Sequence, residues 1–205
     1  MILMKTTRRL NSALIAICLS ILVTACATGP RIAEPGPFET KSYTVNLPSQ
    51  WNALPLRTDK NQRATVLTKD GPRLNAIYLF SDMKPGDALY NQVRRDNPVP
   101  KFALEMSDFE LIEMVTDSLE RGAQVKSLET QNVRPDTFSG NDALRFDMTG
   151  TTVSGLDIAG EALLAVIDGK FNLILFMAPA EYYADKYRAE VDAIFSSVAS
   201  GDLTG

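Results

Sequence analysis

A chain of 205 residues with 45% hydrophobic and 22% charged residues is long enough for one domain with a sizeable core and too apolar to remain disordered. It has no histidine and two cysteines, which excludes histidine-based triads, Cys–His nucleophiles and nearly every zinc, copper or haem site. Its net charge of −4 argues against a nucleic-acid partner, which needs a basic surface.

The first element is a targeting segment. Lys5, Arg8 and Arg9 form a positive region, and Leu10 to Val23 is an apolar stretch of 14 residues, short for a transmembrane helix. Val23-Thr24-Ala25-Cys26 follows, an aliphatic residue and two small ones before a cysteine. This pattern resembles the lipobox cut by lipoprotein signal peptidase between Ala25 and Cys26. The resemblance implies that residues 1–25 are a signal peptide and that the Cys26 thiol accepts diacylglycerol. Two or three acyl chains then hold the protein on a lipid bilayer. Ala27 stands where an Asp marks inner-membrane retention in Gram-negative lipoproteins, so the expected site is the outer membrane, facing the periplasm. Cys18 leaves with the signal, so the folded domain has no disulfide and no thiol chemistry. Three basic residues leave too, so 18 basic residues face 25 acidic ones and the mature charge is −7. That argues against a polybasic grip on anionic lipid.

Residues 26–40, rich in Pro and Gly, read as the lipidated cysteine and a flexible tether. A single domain is expected over 41–199, with a tail at 200–205. Tyr43, Val45 and Leu47 alternate with polar residues and Pro48 ends the run, a first strand. Trp51 is expected in the core. Residues 64–69 and 74–80 are strand-like about the turn Asp70-Gly71-Pro72-Arg73. Residues 82–101 are irregular, with a short helix over 87–95. Ser107 and Glu110 form a capping box that opens a helix over 108–121, and Gly122 stops it. Phe109, Leu111, Ile112, Val115 and Leu119 are expected on its buried face. Strands follow at 125–138 and 143–149 about the turn Ser139-Gly140-Asn141-Asp142, and at 156–167 and 170–178 about Asp168-Gly169. The last pair is apolar on both faces and must be covered on both. Tyr183, Tyr187, Val191, Ile194 and Val198 form the stripe of a closing helix over 180–198.

The opening strand ending in Leu47-Pro48 with Trp51 behind it, the mid-chain helix, the meander of long strands and the closing Ile194-Phe195-Ser196-Ser197-Val198 resemble PsbP-like (Mog-type) α/β/α sandwich domains. The likeness spans residues 41–199. It implies an α/β (α+β) fold in which an antiparallel sheet is covered by helices on both faces, and members that act mostly as accessory or binding proteins. It implies no catalytic motif and no cofactor.

Candidate chemistry is sparse. Ser81-Asp82-Met83-Lys84 matches S-x-x-K of serine β-lactamases, yet that chemistry needs Ser at a helix N-terminus, and Pro85 disfavours helix at Lys84. Glu110, Glu113, Asp117 and Glu120 form an acidic stripe, either a divalent-cation or basic-partner site or a solvated helix face. Asp142 and Asp168 form an imaginable acid–base pair, but both are expected in turns, where Asp serves the backbone. Tyr182 lies off its helix stripe, exposed for contact. Arg94, Arg95 and Lys101 make a basic spot in the long 82–101 segment, where a binding surface is expected. The resulting expectation is a non-enzymatic, membrane-anchored binding or accessory lipoprotein of the cell envelope, docking an envelope protein through surfaces at Arg94, Arg95, Lys101, Tyr182, Glu113, Asp117 and Glu120. The alternatives are an envelope hydrolase using Ser81 and Lys84 or carboxylates, and a small-ligand or lipid carrier with a Tyr- and Met-lined pocket between sheet and helix.

Overall fold

The computed structural model describes residues 30–57, 63–91, 96–123 and 125–201. Cys26, Ala25, Arg94, Arg95 and part of the expected 87–95 helix lie outside them. In chain order the elements are β1 (Arg31–Ala33), β2 (Gly36–Glu39), β3 (Tyr43–Leu47), β4 (Trp51–Arg57), β5 (Arg63–Thr68), β6 (Ala76–Met83), α1 (Asp108–Gly122), β7 (Val125–Phe138), β8 (Asn141–Thr152), β9 (Asp157–Ile167), β10 (Lys170–Pro179), α2 (Tyr183–Ser196) and β11 (Ala199–Ser200).

The apolar β9 and β10 sit inside an antiparallel sheet of eight strands, ordered β1-β4-β5-β6-β10-β9-β8-β7. Their side chains alternate between two cores. Leu163, Ala165, Ile174 and Phe176 point to a first face, and Ala162, Leu164, Leu173 and Leu175 to a second. On the first face lie α2, through Tyr187, Val191, Ile194 and Phe195, and a small sheet ordered β11-β3-β2, through Tyr43, Val45, Leu47 and Phe38. On the second lie α1, through Leu111, Val115 and Leu119, and the segment 84–106, through Leu89 and Phe102. Helices therefore cover both faces, and the small sheet shares one of them.

Several expectations are corrected. Residues 31–39 are not tether. β1 pairs with β4 and β2 with β3, each as an edge strand, where Pro37 loses no ladder hydrogen bond. Only residues 27–30 then separate Cys26 from the fold. Ser200, expected in the tail, belongs to β11. β4 carries no clean alternation and contains Pro55. That proline is tolerated because β1 covers only Trp51 to Ala53, leaving the missing N–H beyond the paired stretch. Residues 87–91 are not helical. Asp142 lies in β8 opposite Thr137, not in the turn, which is the two residues Ser139-Gly140. Phe109 is 67% exposed, because the α1 stripe is Leu111, Ile112, Met114, Val115, Ser118 and Leu119 and Phe109 lies off it.

β7 is the outer edge of the large sheet and is 14 residues long. Its pairing with β8 shifts register twice, between Lys126 and Glu129 and between Gln131 and Arg134. Ser127 (φ 52°) and Asn132 (φ 51°) take left-handed backbone at these bulges.

Candidate functional site

The site is built where turns and a bulge meet at one end of the large sheet. Asp168-Gly169 (φ 50° and 72°) and Ser139-Gly140 (φ 53° and 78°) each close a two-residue hairpin with positive φ at both positions, the twist a tight antiparallel turn requires. Between β6 and β10 the register slips, with Phe171 opposite Met83 but Leu173 opposite Phe80. Asp82 occupies that bulge with φ 58°. Three non-glycine residues in left-handed backbone thus meet in one region, two of them in tight hairpin turns and Asp82 in the bulge.

Asn172 secures the bulge. It is buried, and its side-chain oxygen accepts from the Asp82 N–H at 3.0 Å and from the Ser42 hydroxyl at 2.6 Å. The Thr40–Tyr43 turn presents Lys41 and Ser42 from above, held by the Thr40 hydroxyl on the Tyr43 carbonyl at 2.6 Å. Tyr43 lies beneath, donating to the carbonyls of Phe80 at 3.2 Å and Leu173 at 3.3 Å, with its ring edge-on to Phe138. Burial pushes its phenol well above the usual range.

The Asp82 side chain is only 8% exposed, and each of its carboxylate oxygens holds an ammonium: Lys170 at 2.5 Å on one and Lys41 on the other. Burial acts to raise the Asp82 pKa, and the hydrogen bonds from Lys170 and Lys41 outweigh it, so the carboxyl stays below its ordinary value. The bond to Asp82 in turn holds Lys170 above the ordinary lysine value. A cavity of about 350 Å³ opens here, lined by Lys41, Ser42, Asp82, Ser139, Asp168 and Lys170 among others. The Ser139 hydroxyl on its wall is screened from solvent and makes no hydrogen bond. Asp82 is saturated, while each ammonium keeps donors in reserve. The arrangement offers ammonium and hydroxyl donors to a ligand, with Asp168 as a second, exposed carboxylate on the wall.

Ser81 lies within β6, and its hydroxyl accepts the Lys41 N–H at 3.2 Å. It is not at a helix N-terminus, and Lys84 follows the strand as an exposed residue, so the S-x-x-K arrangement is not formed. Asp168 lines the cavity, whereas Asp142 does not. The remaining candidates are dispersed. Glu113 is exposed, Asp117 pairs with Arg121 at 2.5 Å, and Glu120 accepts the Leu128 N–H at 3.3 Å. Among the described residues no cluster of three acidic side chains is placed to hold a metal. Arg121 also donates to the Pro98 carbonyl at 2.7 Å, which ties the 82–101 segment to α1. Lys101 is exposed in that segment. Tyr182 is 65% exposed at the start of α2, edge-on to Tyr183 with Lys186 above both rings. The space beneath α2 does not match the expected Tyr- and Met-lined pocket between helix and sheet. It is about 130 Å³, with Met148 but no tyrosine in its wall.

That space borders a second charged group. Glu161, buried in β9, accepts from Arg145 at 2.6 Å and Arg134 at 2.5 Å. Arg145 also reaches Asp192 of α2 at 2.9 Å and lies over the Phe195 ring. Sequence reading missed both charged groups, because their members are scattered from Lys41 to Asp192. The only local trace was the alternation that set Arg145 and Asp147 opposite Phe146.

No protein-family model matches the chain, and no curated protein matches it in sequence. Among solved structures, the cyanobacterial PsbP (CyanoP) from Synechocystis sp. PCC 6803 superposes with a TM-score of 0.52 at 13% identity, over 87% of this chain and 96% of that one. The fold is PsbP-like. LpqN, involved in cell envelope biogenesis of Mycobacterium tuberculosis, aligns over 86% of this chain and 87% of its own, at 8% identity and a TM-score of 0.34, too loosely to carry an argument. Within the PsbP-like fold the cavity of this chain is set by its own residues: the bulge at Asp82, the two hairpin turns and the Lys41–Ser42 tip.

Proposed function

We propose that this protein is a non-enzymatic binding or accessory module of the cell envelope, held on the outer membrane by lipidated Cys26 and facing the periplasm. The observation that carries the binding reading is the saturation of Asp82. The one buried carboxylate of the cavity holds a lysine on each oxygen, so the site presents ammonium and hydroxyl donors around a neutralised centre. The anchor reading rests on Val23-Thr24-Ala25-Cys26 and on a first described strand that begins at Arg31, five positions later. Among the described residues no helix is long and apolar enough to cross a membrane.

The test is crosslinking in cells with the full-length protein and its Cys26→Ala form, read by mass spectrometry. Capture of one envelope protein by the anchored form, lost in Cys26→Ala and weakened by Lys170→Ala, is the expected result. A hydrolytic activity abolished by Ser81→Ala would overturn the non-enzymatic reading.

A further inference from the structure

We propose that the domain rests on the bilayer through its β1 edge, with the β7 edge and the acidic face of α1 turned away from the lipid. This rests on the lipid-anchor reading of Cys26. Four residue steps separate Cys26 from Pro30, a reach of about 14 Å when fully extended. The opposite edge of the sheet lies seven strand spacings from β1, roughly 34 Å at about 4.8 Å each. The tether keeps β1 within about 14 Å of the lipid, whereas β7 is free to stand roughly 34 Å further out.

The surface at the short end of that tether is suited to lipid. Ala33 and Ala53 point into the first core, so Ile32, opposite Asn52, faces the second side of the sheet. α1 packs against β7 at the far edge and does not cover this region. An open groove of about 320 Å³ results, lined by Pro30, Arg31, Ile32, Leu54 and Pro72 among others. Ile32 is 60% exposed within it. An uncovered apolar groove whose wall includes the first described residue after the anchor has a neighbour dictated by covalent connection, the bilayer.

Charge agrees with this placement. Arg31 and Arg73, beside the groove, have no ion-pair partner among the described residues. Glu34, the next carboxylate along the chain, accepts from the Gln50 amide at 3.1 Å. The Glu113, Asp117 and Glu120 stripe belongs to α1, on the β7 side. An acidic protein thus carries two arginines without ion pairs among the described residues, Arg31 with its guanidinium over the Phe38 ring, where the headgroups are expected and an acidic face where they are not.

The experiment uses the full-length protein in vesicles of equal parts phosphatidylethanolamine and phosphatidylglycerol containing bromine-substituted acyl chains. Ile32→Cys and Val133→Cys variants are labelled with a thiol-reactive fluorophore. Both positions are exposed, so neither label enters the core. In the lipidated chain the Cys26 sulfur is capped, so the new cysteine is the only thiol, and the unsubstituted protein is the control. With the control unlabelled, quenching at Ile32 is expected to exceed that at Val133 several-fold. Equal quenching, or stronger quenching at Val133, overturns the orientation and leaves the anchor intact. A control that takes the label and does not bind vesicles overturns both.

Discussion

The two helices cover opposite faces of one sheet by different means. α1 opens with a complete capping box, the Ser107 N–H donating to Glu110 at 2.8 Å, and buries six residues of its stripe. α2 has no side-chain cap, starts from Tyr182 in left-handed backbone, and is tied down by charge. Lys69 reaches Glu190 at 2.6 Å, Lys186 reaches Asp70 at 2.8 Å, and Arg145 reaches Asp192. Lys69 also lies over the Trp51 and Tyr187 rings. The difference teaches that a helix with its own start signal is fixed by apolar contact, whereas one without is positioned by partners distant in the chain. On both, sequence periodicity marks the buried stripe, Tyr187, Val191 and Ile194 in α2 included; on the ion pairs that tie α2 down it is silent.

Perturbation separates the two modes. The largest effect is expected on the α1 side. Phe171 is fully buried against Phe102, and Phe171→Ala should cost about 3–5 kcal/mol, read as a fall in the urea midpoint. On the α2 side, Glu161→Ala should cost about 2 kcal/mol, since Arg145 and Arg134 lose a charged acceptor but keep other partners. A cost as large as that of Phe171→Ala would show that charge, not packing, dominates that face.

Acid should act on α2 through named groups. Hydrogen bonds from Lys186 and then Tyr187 hold Asp70 below its ordinary 3.8. Burial works to raise Glu190, but its bonds from Lys69 and Ser49 prevail and hold it below 4.5. A depressed carboxylate stabilises fully above its unfolded pKa and loses that stabilisation as pH falls through the folded one. The α2 amides should therefore lose hydrogen-exchange protection as pH drops below about 4.5, and Asp70→Asn with Glu190→Gln should flatten that response. Glu110 is likewise depressed, by its bonds from Ser107, so acid also removes the cap of α1; the apolar stripe should keep α1 protected longer. Ser107→Ala should cost about 1 kcal/mol without displacing the helix. The smallest effect is expected at Ser139. Its hydroxyl has no partner to lose, and Ser139→Ala should stay within about 0.5 kcal/mol of the parent.

What was legible follows the same division. The capping box at Ser107 and Glu110, the turn at Asp168-Gly169 and the two-sided apolarity of β9 and β10 are local signals, and the structure has each of them. β1, β2 and β4 were not legible: β1 is only three residues long, and the Pro and Gly of β2 and the Pro55 of β4 look like breakers; they are tolerated at an edge or beyond a short partner strand, which chain order does not reveal. The cavity was also not legible. Asp82 was met only as the second residue of a false S-x-x-K, and its lysines lie 41 positions upstream and 88 downstream in the chain.

For the membrane-anchored form proposed above, the broken outer strand has a consequence for life in a crowded plane. Molecules confined to a surface meet edge-on far more often than in free solution, and a straight 14-residue border would invite each new arrival to add a rung. The two slips in β7, with Pro135 inside its last paired stretch, leave no long run of free backbone groups to copy. Among the described residues the other border is the three-residue β1 and the uncovered end of β4, which carries Pro55, so neither border gives a neighbour of its own kind a long template on which to grow.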